Sequence, residues 1–152
     1  HRPYLGLHIR QTDRSREAPK PAAIQAALEQ LVDKAGVGNV FIAGDTETAR
    51  TEWAVRVSRM GLRVWTSDAR NFNRHQSEAA KDAIVDWLAL GGAEAIVYSA
   101  TSSFGQEAAL MNAQTDWSRG LQASVGLRFL RDARSATTSV KRWLHKSGSR
   151  RQ

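Results

Sequence analysis

The sequence predicts an α/β fold in which a doubly wound, Rossmann-like parallel sheet is covered by helices. Strand patterns alternate with amphipathic helical patterns four times, which favours parallel strands joined by right-handed crossovers. The stretch NVFIAGD at 39–45 is apolar until it stops at Gly44-Asp45, as expected of a strand buried on both faces. A length of 152 residues fits one domain that can bury a core without disulfides, and the chain has no cysteine.

The first half of the chain is predicted to form three strands and two helices. Residues 4–10 read as a strand with Leu5, Leu7 and Ile9 on one face. Pro19 and Pro21 open a helix that continues to about Lys34 and ends at Gly36. The remaining predicted elements of this half are a strand at 39–45, a helix at 46–60 closed by Gly61, and a strand at 62–68.

The second half is predicted to continue the alternation. A helix is expected from about Ser77 to Leu90, and Gly91-Gly92 stops it. A fourth strand lies in AEAIVYSATSS (93–103), a helix follows over 103–111, and LQASVGLRFL (121–130) reads as a fifth strand. The apolar stripe of the helix at 77–90 is expected to consist of Ala80, Ala83, Ile84, Trp87 and Leu88.

The positive charge of the chain lies at one end of the sequence. The formal net charge is +7, and residues 128–152 carry eight basic side chains against Asp132 alone, whereas residues 1–127 balance. This distribution is more typical of a solvated helix or tail than of a nucleic-acid footprint. We therefore expect a Rossmann-like domain at 1–130 and a basic C-terminal helix or tail at 131–152, with contact to an anionic surface as an alternative.

Neither a membrane span nor a targeting signal is visible in the sequence. No apolar run approaches the roughly 20 residues that cross a bilayer, and the N-terminal residues lack a signal-peptide pattern. The sequence as given therefore reads as soluble, with a cytoplasmic or membrane-peripheral location slightly favoured over others.

Polar residues end every predicted strand. Because ligands of such sheets sit outside the carboxyl ends of the strands, these residues are the candidates for a site. Asp45 and Asp68 also fit helix caps or turns. The strand-end residues are Arg10 and Asp13, Asp45, Ser67 and Asp68, and Ser99, Thr101, Ser102 and Ser103.

Arg10 shares a strand face with His8, and a guanidinium there needs an anion or a carboxylate. The partner is either a ligand or one of the carboxylates of Asp13 and Asp45. The small, hydroxyl-rich turn before the helix at 103 offers backbone N–H groups and the positive end of a helix dipole. Ser103 and Gln106 fit a capping box at the same place. If strands one and four are neighbours, a diphosphate fits between Arg10 and this helix start.

Other chemistry-bearing motifs are absent from the sequence. There is no dinucleotide glycine fingerprint, no P-loop and no H-E-x-x-H pattern. The four histidines show no ligand spacing, so no metal site is indicated.

Three segments resemble those of the GDP-fucose-dependent fucosyltransferases, which include nodulation, α-1,6 and protein O-fucosyltransferases. HIRQTD (8–13) is similar to their H-x-R-x-T-D segment, and VFIAGD (40–45) to an apolar strand ending in Thr-Asp. DWLALGGAEAIVYSATSSF (86–104) resembles a segment in which an aspartate precedes a strand and Ser-Ser-Phe. Gln11 departs from the family, where many members have a second arginine.

The resemblance implies the donor-binding, C-terminal half of a metal-independent, inverting GT-B enzyme. Arg10 would then neutralise the β-phosphate, His8 would help fix the nucleotide and Asp86 would accept from guanine. Asp86 alternatively belongs to a solvent-facing stripe with Glu78 and Asp82. The resemblance also places Ser102 and Ser103 against the diphosphate and leaves Glu17 as the nearest acid for a catalytic base. As strand-end residues, Asp13, Asp45 and Thr101 are expected in the same substrate-binding site.

The expected function is therefore transfer of a sugar from a GDP-sugar to an acceptor hydroxyl, and the expected sugar is fucose. The acceptor would be a carbohydrate or a protein, and the family's acceptor-side domain would precede this segment. No cofactor is implied besides the donor substrate. A non-catalytic nucleotide- or phosphate-binding module is the alternative.

Overall fold

The computed structural model describes residues 3–11, 18–68, 77–112 and 115–122. The elements in these ranges alternate strand and helix as the sequence predicts. No helix in the described ranges is both long and apolar enough to cross a membrane. The elements are β1 (Leu5–Ile9), α1 (Pro21–Ala35), β2 (Asn39–Gly44), α2 (Glu47–Arg59), β3 (Arg63–Trp65), α3 (Ser77–Gly91), β4 (Ile96–Ser99), α4 (Ser103–Leu110), a 3₁₀ turn (Thr115–Trp117) and β5 (Arg119–Leu121).

The strands form one sheet with the order β3-β2-β1-β4-β5, and all neighbouring pairs are parallel. Leu7 of the central strand lies opposite Ile42 of β2 and Val97 of β4. This order confirms the Rossmann-like doubly wound fold. The direction of winding reverses between β1 and β4, which is where such folds leave a crevice at the carboxyl ends of the strands.

Each face of the sheet has its own hydrophobic core. Leu5, Leu7 and Ile9 pack on one face with α1 and α2, and Tyr4, Phe41 and Ile96 pack on the other with α3 and α4. The side chains of β1 are buried on both faces because helices cover both. The result is a three-layer arrangement of helices, sheet and helices.

The helix boundaries follow from local sequence signals. Pro21 stands in the first turn of α1, and Gly36 ends that helix with φ 63°, a left-handed conformation that favours glycine. The hydroxyl of Thr46 caps α2 by accepting a hydrogen bond from the N–H of Ala49 at 3.1 Å.

The predicted apolar stripe of α3 is wrong. Four of its five residues, Ala80, Ala83, Ile84 and Leu88, are exposed, and Trp87 is only partly buried. The buried residues of the helix are Ala79, Asp86, Leu90 and Gly91. Asp86 faces inward in this orientation of the helix and bonds with side chains from α2 and from the end of β3, described below.

The predicted fifth strand and capping box are also displaced. β5 covers 119–121 instead of beginning at 121, and it pairs Gly120 with Tyr98 of β4; residues 123–130 lie outside the described part. Gly120 suits this position because a Cβ there would lie 3.0 Å from the ring of Tyr98. The N-cap of α4 is Ser102, not Ser103, and the side-chain amide of Gln106 donates to the carbonyl of Ala100.

Candidate functional site

A cavity of about 410 Å³ opens at the carboxyl ends of the strands. Its wall is formed by the ends of β1 and β2, by one side chain of α2, by the first three turns of α3 and by the start of α4. Most pockets that bind a small molecule fall in the range of about 300–1,000 Å³. The cavity is therefore of a size to hold one such ligand, at the place where the fold predicts it.

Arg10 and the start of α4 line this same cavity. Arg10 follows the last residue of β1 and is partly exposed, and Ser102 and Ser103 belong to the turn that begins α4. They line one cavity because β1 and β4 are hydrogen-bonded neighbours, which meets the condition stated in the sequence analysis. A guanidinium and a helix N-terminus thus face one space.

The start of α4 is held close to the sheet by a glycine. A Cβ on Gly105 would lie 2.7 Å from Cβ of Tyr98, closer than side chains approach one another. Glycine therefore lets the first turn of α4 lie directly on β4. The N–H of Gly105 donates to Ser102 Oγ at 3.4 Å, while the N–H groups at the very start of a helix have no intrahelical acceptor.

His8 is a buried imidazole on the cavity wall. Only 8% of its surface is exposed, its ring centroid lies 5.1 Å from that of Phe104, and its Nδ1 has no hydrogen-bond partner among the described residues. Burial lowers the pKa of His8 to about 4, with the charge of Asp45 opposing this and that of Arg10 adding to it. The ring is therefore neutral at physiological pH.

Asp45 joins the ends of β1 and β2. Its carboxylate oxygens accept from the N–H of Gln11 at 2.9 and 3.1 Å, and its own N–H donates to the carbonyl of Ile9. The cap interpretation of Asp45 is wrong, because Thr46 caps α2. Asp45 instead fixes the backbone on either side of Arg10.

The wall of the cavity holds a buried ion pair that the sequence analysis did not find. Arg50 of α2 reaches across the end of β2, donates through Nε to the carbonyl of Gly44 at 3.2 Å, and forms a salt bridge with Asp86 of α3. Ser67 completes the group, because its Oγ accepts from Arg50 at 3.1 Å and donates to Asp86 at 2.5 Å. Gly44 gives Arg50 room to pass, since a Cβ there would lie 3.1 Å from the Cγ of Arg50.

The pattern of α2 contained a signal for Arg50. Arg50, Trp53 and Val57 lie at helical spacing on the buried face, and all three are buried. A charged residue in an apolar stripe requires a buried partner. The prediction for α2 considered only the apolar residues of its buried face and therefore left out Arg50.

Asp86 lines the cavity and is 5% exposed, so its assignment to a solvent-facing stripe is wrong. Burial raises the pKa of Asp86, while the hydrogen bond from Ser67 and the charge of Arg50 act in the opposite direction. Both carboxylate oxygens already accept a hydrogen bond within the protein.

The remaining candidate residues are placed less centrally. Thr101 does not line the cavity, and its hydroxyl lies 3.1 Å from that of Ser99. Asp68 is exposed after β3. Asp13 and Glu17 lie outside the described residues. Within the described ranges, no group of three His, Asp or Glu side chains is arranged to hold a metal ion.

No protein-family model matches the chain. No curated protein matches it at a significant level.

Proposed function

We propose that this chain is the donor-binding domain of a metal-independent, inverting glycosyltransferase that uses GDP-fucose or a related GDP-sugar. The observation that carries the proposal is the single cavity lined by both Arg10 and the start of α4. A diphosphate carries the charge that these two groups complement. The resemblance of residues 8–13, 40–45 and 86–104 to the fucosyltransferases supplies the choice of nucleotide and sugar.

The proposed sugar transfer depends on stabilising the negative charge that develops on the diphosphate. Departure of GDP from the anomeric carbon increases the negative charge on the diphosphate in the transition state. Fixed donors at that position stabilise it, because they need no reorganisation as the bond breaks. Arg10 and the backbone N–H groups of the turn at 102–103 would be those donors. A base must also take the proton from the acceptor hydroxyl.

His8 fits a binding role better than that of a base. A ring whose pKa is about 4 is a poor proton acceptor at neutral pH, but its neutral nitrogen can accept a hydrogen bond. Contact with a donor group of the ligand would satisfy the Nδ1 that lacks a partner in the described part of the chain. The ring of Phe104 beside it fixes its orientation.

A non-catalytic nucleotide- or phosphate-binding module is the second candidate. It is favoured by the state of two of the three carboxylates that line the cavity, since Asp45 and Asp86 are both engaged in hydrogen bonds within the fold. A carboxylate held in this way is poorly placed to act as a base toward an acceptor. Such a module would bind the nucleotide without transferring a sugar.

Calorimetric titration of the chain with GDP, UDP and ADP tests the proposal. We expect GDP to bind most tightly and Arg10→Ala to weaken GDP at least tenfold, about 1.4 kcal/mol, because a charge-assisted contact to phosphate is lost. Arg63→Ala is the matched control, since Arg63 is exposed at the amino end of the sheet. Equal affinity of the Arg10→Ala variant and the parent chain would reject both candidates.

Release of GDP from GDP-fucose in the presence of glycan and peptide acceptors separates the two candidates. Turnover above the rate of donor hydrolysis supports the transferase. Tight binding of GDP without turnover on any acceptor supports the binding module.

A further inference from the structure

An apolar patch on the outer surface of the α3/α4 layer has no cover within the described residues. Seven large apolar side chains of the described ranges are exposed, and five of them lie on α3 or at the end of α4. These five residues, called the outer patch below, are Ile84, Val85, Leu88, Leu110 and Met111, with exposed fractions of 47–75%.

The residues of the outer patch on α3 adjoin one another, and Met111 adjoins the end of that helix. Ile84 and Leu88 are four residues apart on α3, and Val85 and Leu88 are three apart, so their side chains are neighbours on the helix surface. The side chain of Met111 lies against Gly91, 3.2 Å from the place of a Cβ there, and Gly91 is one turn beyond Leu88. Contiguous apolar surface of this kind marks a site of contact with another segment or molecule.

The net negative charge of the α3/α4 layer favours a basic partner for the outer patch. Residues 77–112 contain five acidic side chains and one basic side chain, and because Asp86 is buried and paired with Arg50, a net charge of −3 is left, whereas residues 18–68 contain six of each. Residues 123–152 carry eight basic side chains against one acidic, a net charge of +7. The acidic layer and the basic C-terminal segment are therefore complementary in charge.

The C-terminal segment also carries apolar residues at helical spacing. Ala133, Ala136, Val140 and Trp143 follow the spacing i, i+3, i+7 and i+10, which places them on one face of a helix, and Leu130 lies one turn before Ala133. A helix with this row presents an apolar stripe between basic side chains. The stripe matches the apolar outer patch, and the positive charge matches the net negative charge of the layer that carries it.

The segment begins close enough to reach the patch. Leu121 of β5 pairs with Ser99 of β4, and α4 packs on β4. Thirty residues follow position 122, and even as a helix they extend about 45 Å, more than the two helix widths that separate β5 from the far side of α3.

We propose that the basic C-terminal segment, residues 123–152, docks on the outer patch of its own chain. It covers the apolar surface of α3 and α4 and places its arginines and lysines beside the acidic residues of that layer. This inference is independent of the nucleotide proposed for the cavity.

Cysteine cross-linking of the full chain tests the docking, because the native sequence has no cysteine. The test variant carries Leu88→Cys with Trp143→Cys, and the control carries Val55→Cys with Trp143→Cys. Val55 is similarly exposed, 47% against 53% for Leu88, but lies on α2 on the opposite face of the sheet. With a short bis-maleimide in dilute protein, we expect the intramolecular cross-link to form at least tenfold faster in the test variant.

A second measurement uses trypsin, which cleaves after the basic residues of the segment. We expect Ile84→Asn with Leu88→Asn to speed cleavage within 128–151 several-fold over the parent chain, because the docked segment is released. Equal cross-linking rates in both cysteine variants, a cross-link between two chains, or unchanged cleavage would overturn the proposal. A cross-link between chains would assign the patch to a second copy.

Discussion

His8 shows how burial sets the chemistry of a single side chain. Its pKa of about 4 lies below the ordinary value of 6.5, chiefly because the folded chain removes the ring from water. The unfolded chain binds a proton below pH 6.5, whereas the folded chain does so only near pH 4. His8 therefore costs no stability above pH 6.5, and the free energy of unfolding decreases as the pH falls from 6.5 toward 4.

We predict that the free energy of unfolding decreases by about 2 kcal/mol between pH 8 and pH 5 because of His8. Urea denaturation of the parent chain and of His8→Phe over this range measures the effect. Phenylalanine can pack beside Phe104 but cannot titrate, so the variant should lose this share of the pH dependence. Parallel curves for the two proteins would contradict a buried, neutral His8.

Arg50 and Asp86 form a buried ion pair in which each charge depends on the other. Removing either partner leaves the other charge buried beside the cavity. We predict that Arg50→Met or Asp86→Leu alone lowers stability by about 3–5 kcal/mol, and that the double variant is less destabilised than either. Chemical denaturation of the three variants measures this.

An exposed ion pair on α2 provides the control for that prediction. Arg56 and Glu52 are joined at 2.8 Å, and both side chains are 46% exposed. Glu52→Gln should change stability by less than about 1 kcal/mol, because water screens the pair. A similar loss at both sites would mean that burial does not strengthen the inner pair.

Site residues were predictable from sequence where the fold alone brings them together. Arg10 and Ser102 follow adjacent strands, so the parallel topology suffices to place both on one cavity. Arg50 was not predicted, and Ser67 was predicted as a strand-end residue but not as a partner of Asp86, because the side of α3 that faces inward depends on tertiary contacts. The role of Asp45 in holding Gln11 is likewise a contact between distant parts of the chain.

At the scale of elements, α1 was predictable because a proline marks its start and a glycine marks its end, whereas β5 carries no comparable sequence signal. Pro21 and Gly36 mark the start and end of α1 in both sequence and structure. β5 has the sequence RGL, which lacks the alternation that identifies a strand, and it forms by pairing with β4 at the edge of the sheet. The strand was predicted at 121–130 instead, because that stretch is more apolar.

The contact between α4 and β4 gives a prediction for a whole element. Gly105→Ala should push the first turn of α4 away from Tyr98 and lower stability by about 1–3 kcal/mol, the usual cost of overpacking. The same variant should weaken GDP binding, because the helix start moves. Thermal denaturation and calorimetric titration measure the two effects.

Gly38→Ala is the control for this element. A Cβ at Gly38 would meet nothing within 4 Å, and its φ is not in the left-handed range. The control should therefore leave GDP binding unchanged and alter stability little. Equal effects of both substitutions would mean that the close approach of α4 is not required.

At the scale of the whole molecule, stability is expected to decrease from the centre of the sheet toward its edges. β1 is buried throughout and is hydrogen-bonded on both sides, whereas β3 and β5 are three-residue edge strands that are partly exposed. Native-state hydrogen exchange should therefore be slowest for Leu7 and Ile42 and faster for the amides of β3 and β5. Equal protection across the sheet would contradict this order.

The path of Arg50 over the end of β2 connects the two helical layers that the sheet otherwise separates. Trp53, one turn further along α2, is 3% exposed in the core on the far side. A ligand that displaces the Asp86 carboxylate would pull on Arg50 and so disturb the surroundings of this indole. In a variant whose other four tryptophans are replaced by phenylalanine, the emission of Trp53 would therefore report events in a cavity that it does not line.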